Sequence, residues 1–270
     1  MVDNADYFET NRQGWNARTE LHKESDFYDL KSFKAGKSSL FKIVDGLLSD
    51  IEDKSLLHLQ CHFGMDTLSL ARKGAKVTGI DISDNSIDTA NELSKELNIP
   101  ARFIRSNVLD LEQVLGAEQF DLAFTSYGTI VWLPDLTEWA RLIYKYLKPG
   151  GVFTIVDFHP ALDMFNWEKE KLEYSYFNNG VYEETLENTY TDTKDNLNKL
   201  NIKEYFWIHS LSEIISALIG QGLQLTHFQE YDYSPFNCFE NMKLRAENEY
   251  IWGTHGIAFP HVFSIQCTKA

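Results

Sequence analysis

Two residues frame the chemistry open to this sequence, Gly64 and Asp81. Gly64 sits in Gln60-Cys61-His62-Phe63-Gly64-Met65-Asp66, between an apolar run and a stretch of helical spacing, and Asp81 ends the next apolar run, Lys76 to Asp81. A carboxylate closing a strand that follows a glycine turn can accept hydrogen bonds from both hydroxyls of a ribose. The same carboxylate can also cap the helix that follows it. The turn has one glycine where a dinucleotide fingerprint, G-x-G-x-x-G, has three, and Asp66 falls where a diphosphate would meet the helix N-terminus. The pattern therefore suits a nucleoside and opposes a pyrophosphate. Other chemistries find less support. The eight histidines show no HExxH spacing and the three cysteines (Cys61, Cys238, Cys267) no CxxC pair, so no metal site is expected. His58 lies inside an apolar run and reads as a core histidine, whereas His62, in the turn, is placed to touch a ligand. Ser126 lacks the G-x-S-x-G elbow of a hydrolase.

Stepping outward, the elements that must position these residues alternate. Leu56–Cys61, Lys76–Asp81, Arg102–Ser106, Phe120–Ser126 and Val152–Phe158 read as strands. Helices are expected over Met65–Lys73, from a Ser83 or Asp84 cap to Leu97, and over Asp135–Leu147, with Lys148-Pro149-Gly150-Gly151 as a turn. Such alternation builds right-handed crossovers and a parallel sheet whose ligands bind at the carboxyl ends of the strands. Before it, Lys37–Leu48 reads as a helix. After it, Asn178-Asn179-Gly180 reads as a hairpin turn between Tyr174–Phe177 and Val181–Glu183. Ser210 caps a helix to Gly220, and Leu223–Phe228 and His261–Cys267 read as closing strands joined by a long aromatic loop, Tyr231 to Phe259.

Composition narrows the class of partner. Twenty-five Lys and Arg stand against 40 Asp and Glu, a net charge of −15, in a chain of 270 residues. That balance opposes nucleic acid and anionic membrane, both of which reward clustered cations. There is no apolar run of bilayer-spanning length, Met1–Asp6 is polar without a signal-peptide core, and the cysteines are odd in number and widely spaced. A cytoplasmic location and a small-molecule partner are the expectation.

With these residues in place, the stretch from Leu56 to Pro160 resembles the core of a class I S-adenosylmethionine-dependent methyltransferase. The family's first motif, an acid and three alternating glycines, falls on His58, Gln60, His62 and Gly64, of which only Gly64 agrees; the second, Val77-Thr78-Gly79-Ile80-Asp81-Ile82-Ser83, agrees well. Arg105–Asp110 resembles the adenine-contacting segment, with Asn107 where the family usually has an acid, and Phe120–Phe124 and Leu147–Gly151 resemble the fourth- and fifth-strand entries. The resemblance implies a Rossmann-like, doubly wound α/β sheet of seven strands, mostly parallel with one antiparallel strand, carrying an N-terminal cap and a β-rich insertion after the fifth strand. Residues 1–270 then form one domain: a cap (1–50), a cofactor-binding core (51–160), an aromatic and acidic insertion or lid (161–207) and closing elements (208–270). It further implies S-adenosylmethionine as cofactor and S-adenosylhomocysteine as product. The implied contacts are Gln60, Cys61, His62, Gly64, Asp81, Ile82, Asn107, Val108 and Ser126, with Tyr28 and Phe33 of the cap offering aromatic faces to the cationic sulfonium. The scattered cap aromatics can instead simply pack a helix onto the sheet. At the ends of the fourth and fifth strands stand Tyr127, read as orienting the acceptor, and His159, read as a general base should the acceptor be a hydroxyl; His159-Pro160 can equally just end its strand. The absence of adjacent prolines after the fourth strand removes the amino-methylating nucleic-acid enzymes of this family from consideration. Two alternatives to a small-molecule methyltransferase stay open at this point: a nicotinamide-dependent oxidoreductase and a non-catalytic S-adenosylmethionine sensor.

Overall fold

The computed structural model describes residues 4–166, 171–187, 189–191, 201–239, 241–253 and 258–270. In chain order its elements are α1 (Asn4–Glu24), α2 (Leu30–Lys34), α3 (Lys42–Leu47), β1 (Ser55–Leu59), α4 (Met65–Arg72), β2 (Lys76–Asp81), α5 (Asp84–Glu96), β3 (Arg102–Arg105), α6 (Leu111–Leu115) and β4 (Phe120–Ser126). There follow a 3-10 turn (Ile130–Trp132), α7 (Leu136–Tyr146), β5 (Leu147–Phe158), β6 (Phe165–Asn166), β7 (Lys171–Leu172), β8 (Tyr182–Leu186) and β9 (Ile202–Phe206). The chain closes with α8 (Leu211–Gly220), β10 (Leu223–Tyr231), β11 (Lys243–Ala246), β12 (Glu249–Ile251) and β13 (Val262–Lys269). Seven strands form one sheet in the order β10-β13-β5-β4-β1-β2-β3. β1, β2 and β3 pair in parallel, and β13 runs antiparallel to both β5 and β10. This is the Rossmann-like seven-stranded architecture with one reversed strand that the sequence leads one to expect.

The chain divides into two compact units. The first comprises Met1–Leu40, Asp50–Leu122 and Tyr182–Phe206; the second comprises Phe41–Ser49, Ala123–Val181 and Trp207–Ala270. The expected insertion of 161–207 is thus shared between them, and Trp167 within it lies outside the described residues.

In the first unit β1 is buried on both faces, with Leu56 and Leu57 fully covered, as expected of a strand inside a parallel sheet. The Ser83 hydroxyl accepts from the Ser86 amide at 3.1 Å and starts α5, which buries Ile87, Ala90 and Leu93. The two larger of these, Ile87 and Leu93, each contribute ~1.5–3 kcal/mol through burial. The long helix α1 packs differently, because its buried residues are Gly14 and the polar Asn11, Arg18, Thr19 and His22. Asn11 brackets Tyr205 of β9, its amide donating to the carbonyl at 2.7 Å and its oxygen accepting from the Tyr205 amide at 2.9 Å. Arg18 forms a buried ion pair with Glu204, and the Thr19 hydroxyl meets that of Ser86 at 2.7 Å.

Those contacts also decide the partner of β8. Asn178-Asn179-Gly180 does not join a hairpin: Asn178 Oδ1 accepts locally from the Gly180 amide at 3.0 Å, and Tyr182–Leu186 pairs antiparallel with Ile202–Phe206. β9 is fixed by α1, so tertiary contact overrides the nearer pairing. The helix expected over Lys37–Leu48 shortens to Lys42–Leu47, because Ser39 bonds elsewhere: its amide donates to Ser69 Oγ at 3.1 Å and its hydroxyl to Asp66 Oδ1 at 2.5 Å.

In the second unit α7 starts at Asp135, whose side chain accepts from the Thr137 amide at 2.7 Å. It buries Leu136, Trp139, Ala140, Leu142, Ile143 and Tyr146 on one face. β5 reaches back to Leu147, so the residues expected as a turn, Lys148–Gly151, belong to the strand. Ser210 caps α8 as expected, accepting from the Glu213 amide at 3.2 Å. The long aromatic loop contains the β11–β12 hairpin, with Asn248 in the left-handed region at φ 55°.

Candidate active site

In the first unit the site residues gather at the carboxyl ends of β1 and β2. The turn after β1 puts Gln60 at φ 55°, His62 at φ 50° and Gly64 at φ 80°. These are the three positions on which alternating glycines would fall, so the turn keeps a left-handed backbone at each while two of them carry side chains. Left-handed geometry costs an L-residue roughly 1–2 kcal/mol, and a surrounding network must hold it. Asp81 supplies part of that network. Its Oδ2 accepts from the His62 amide at 2.8 Å and its Oδ1 from the Ser83 amide at 2.9 Å, tying the turn to the end of β2. Asp81 is therefore a helix-entry partner and a buried carboxylate at the strand end. Burial raises its pKa to about 6, against the opposing pull of the backbone donors.

Gly64 has no alternative. A Cβ there would lie 2.7 Å from the ring of Phe103 and 2.9 Å from Ala90 Cβ. Cys61 is buried beside Gly79, with burial lifting its thiol pKa well above the ordinary value. Ile82, partly buried, follows Asp81 into the α5 cap. Asn107 Oδ1 accepts from the Leu109 amide at 3.0 Å, which fixes the loop after β3 with Val108 buried. Asp66, on the first turn of α4, receives the Ser39 hydroxyl, and burial lifts its pKa to about 6.

The cap aromatics separate into two groups. Tyr28 stacks on His62 with ring centroids 5.4 Å apart and planes 4° from parallel, and its hydroxyl meets that of Tyr190 at 2.5 Å. It thus lies on the turn. Phe33 is instead turned into the core, 2% exposed, with the Arg72 guanidinium 4.4 Å above its ring. Sequence reasoning missed His22, whose Nδ1 lies 3.2 Å from His62 Nε2 and whose Nε2 lies 2.7 Å from Thr189 Oγ1. Burial keeps both imidazoles neutral, with pKa values lowered to about 2 for His22 and about 3 for His62. His58, the expected core histidine, bonds Thr67 Oγ1 at 2.7 Å.

In the second unit the ends of β4 and β5 are bound together by Asp157. Its carboxylate accepts from the amides of Gly128, Thr129, Ile130 and Phe158 and from the Thr129 hydroxyl. Ser126 ends β4, partly buried, and Tyr127 follows at φ 48° with its amide donating to Val156 at 2.8 Å. The Tyr127 ring meets Phe41, Phe158 and Phe236 at 5.7, 6.2 and 6.1 Å. His159 has other employment than base catalysis in this arrangement. Its Nδ1 accepts from the Ala161 amide at 3.0 Å, so the proton sits on Nε2, which faces Glu230 Oε1 at 2.8 Å. Both nitrogens are engaged, leaving no lone pair for a substrate proton. Burial, only partly offset by Glu230, lowers its pKa.

Residues 56–151 match the family described as a methyltransferase domain. That stretch is similar to a methyltransferase domain. The chain is similar to an uncharacterized methyltransferase of Synechocystis, 32% identical over 116 residues, covering 42% of this chain and 51% of that one. It is also similar to the ubiquinone biosynthesis O-methyltransferase of Rickettsia bellii, 29% identical over 107 residues, covering 40% and 43%. The chain thus spans about half the length of the curated relatives it matches. Among solved structures, an S-adenosylmethionine-dependent methyltransferase from Mesorhizobium loti shares the fold, with TM-score 0.59 and 18% identity, covering 87% of this chain and 99% of that one.

Within residues 56–151 the chain's groups fit a nucleoside cofactor. A buried acceptor closes β2, a left-handed turn runs beside it and no triple-glycine cradle for a diphosphate is present. Among the described residues no His, Cys, Asp or Glu side chains assemble as a metal-ligand set, and no helix is long and apolar enough to cross a membrane.

Proposed function

We propose that this chain transfers the methyl group of S-adenosylmethionine to a small-molecule acceptor and releases S-adenosylhomocysteine. The observation that carries the reading is the clamp of Asp81 on the His62 amide, which places a buried carboxylate against a left-handed turn at the cofactor end of a methyltransferase domain. The similarity to a ubiquinone biosynthesis O-methyltransferase supports an acceptor of small size.

The cofactor, when bound, supplies a methyl group already activated on a sulfonium. The chain has then to bind, orient and exclude water. Asp81 accepts from the ribose hydroxyls while its backbone donors hold it in place. Residues 60–64 follow the amino-acid moiety, Tyr28 covers the turn, and Asn107 with Val108 borders the base. His159 holds the Phe158–Ala161 turn to Glu230 rather than receiving a proton, so the reaction depends on positioning.

The test is a thermal-shift screen of the full chain against S-adenosylhomocysteine, NAD and NADP. Stabilisation by S-adenosylhomocysteine alone is the expected outcome. A shift with NAD alone overturns the reading in favour of an oxidoreductase. S-adenosylhomocysteine binding without cofactor turnover on a metabolite extract overturns it in favour of a sensor.

A further inference from the structure

His22 of α1 is fully buried, and two contacts aim its imidazole. Its Nδ1 lies 3.2 Å from His62 Nε2, and its Nε2 lies 2.7 Å from Thr189 Oγ1. Burial keeps both imidazoles neutral. A neutral imidazole has one N–H and one lone pair, so a single proton between the two rings makes their contact a hydrogen bond.

His62 is where the turn after β1 needs a hold. Its backbone is left-handed at φ 50°, a region that glycine enters freely and a residue with a Cβ enters only under constraint. Its amide donates to Asp81 Oδ2 at 2.8 Å, so the residue that meets His22 by its ring meets by its backbone the carboxylate assigned to the ribose. Thr189, His22, His62 and Asp81 thus form one hydrogen-bonded chain inside the first unit, from the segment before β9 to the end of β2.

The rings around His62 act differently. Tyr28 stacks on it at 5.4 Å, and Trp15 of α1 meets it edge-on at 5.4 Å. Such contacts hold the plane of the imidazole but leave its rotation within that plane open. The bond from His22 is directional and sets which nitrogen of His62 faces α1.

We propose that His22 is a positioning residue for the cofactor: its bond to the His62 ring holds the left-handed turn after β1 in the shape that receives the amino-acid end of S-adenosylmethionine. The assignment rests on the methyl-transfer reading for its ligand and deepens it. In a turn of alternating glycines the backbone takes this shape without steric cost, whereas here α1 supplies the constraint from outside the turn.

The experiment divides the imidazole between two substitutions. In His22→Asn the side-chain amide takes the place of Nδ1 and can meet His62; in His22→Gln it takes the place of Nε2 and reaches Thr189 instead. Titration calorimetry of the full chain with S-adenosylhomocysteine should give His22→Asn an affinity within about threefold of wild type and His22→Gln a loss of about tenfold or more, the size expected when a buried nitrogen loses its partner. Amide exchange at His62 in the ligand-free chain should follow the same order, fastest in His22→Gln. Equal losses in the two variants would reduce His22 to packing and overturn the assignment, as would wild-type affinity and exchange in His22→Gln. If His22→Gln does not fold, His22→Asn and the magnetic-resonance coupling between the two imidazole nitrogens of the unmodified chain decide. Retained affinity with an observed coupling supports the assignment, and the loss of either overturns it. Failure of the wild type to bind S-adenosylhomocysteine defeats the methyl-transfer reading separately, since the exchange measurement tests the hold on the turn without ligand.

Discussion

Asp81 joins the cofactor to pH, and the size of the effect follows from its surroundings. On the proposed reading ribose hydroxyls donate to the ionised carboxylate, and burial raises the Asp81 pKa to about 6. As pH falls through that value the acceptor is lost, so affinity falls on the acid side. For a group of pKa about 6 the ionised fraction drops about tenfold between about pH 7.5 and about pH 5, and S-adenosylhomocysteine affinity should drop by the same factor. Asp81→Asn changes both the level and the slope. One amide oxygen can still accept from a backbone N–H, but the NH2 then faces the other, because His62 N and Ser83 N each address a different carboxylate oxygen. Loss of a charge-assisted bond is worth ~1.5–3 kcal/mol, a tenfold to hundredfold loss of affinity near neutral pH. The remaining affinity should be flat with pH, since the titrating group is gone. Calorimetry on both proteins across that range is the assay. A wild-type affinity independent of pH, or an Asp81→Asn variant that keeps the wild-type slope, would refute the argument.

Gly64→Ala places a methyl group against Phe103 and Ala90 at a positive φ and should destabilise the protein by about 2–5 kcal/mol, with Phe103→Leu recovering part of the loss in thermal unfolding. Glu204→Gln leaves the buried Arg18 without its ionised partner and should cost about 3–5 kcal/mol in denaturant titration, whereas disruption of the exposed Lys203–Glu183 pair should change little. Acid should destabilise the fold. His22, His58 and His62 have pKa values of about 2, 3 and 3 folded against 6.5 unfolded, so the unfolded state binds three more protons there; Asp66 and Asp81, at about 6 folded against 3.8, bind two more in the folded state. Those five groups leave a net of one proton and a loss of ~1.4 kcal/mol per pH unit between about pH 6 and pH 4, in which direction the lowered His159 and His261 also act and against which the raised Asp157 and Asp163 act. Urea unfolding that is unchanged or strengthened across this window would contradict the balance.

The sequence by itself determined the alternating core. Strands β1 to β4 and helices α4, α5 and α7 lie within a few residues of where apolar runs, the Ser83 and Asp135 caps and the glycine turns place them. These signals are local, because a buried strand must be apolar and a helix start needs an acceptor for its free N–H groups. The positions of Asp81 at the end of β2 and of Gly64 at the start of α4 were legible for the same reason. Tertiary structure decided the rest. The buried stripe of α1 is made of Asn11, Gly14, Arg18, Thr19 and His22, so its helical period carries no hydrophobic signal and each polar group gains a partner only when β9, α5 and the β1 turn arrive. The left-handed Gln60 and His62 could not be read from residue types that ordinarily avoid that region; the Asp81 carboxylate holds the turn from a strand away. His159 looked like a base because a lone imidazole at a strand end is one, until Ala161 and Glu230 occupied both of its nitrogens.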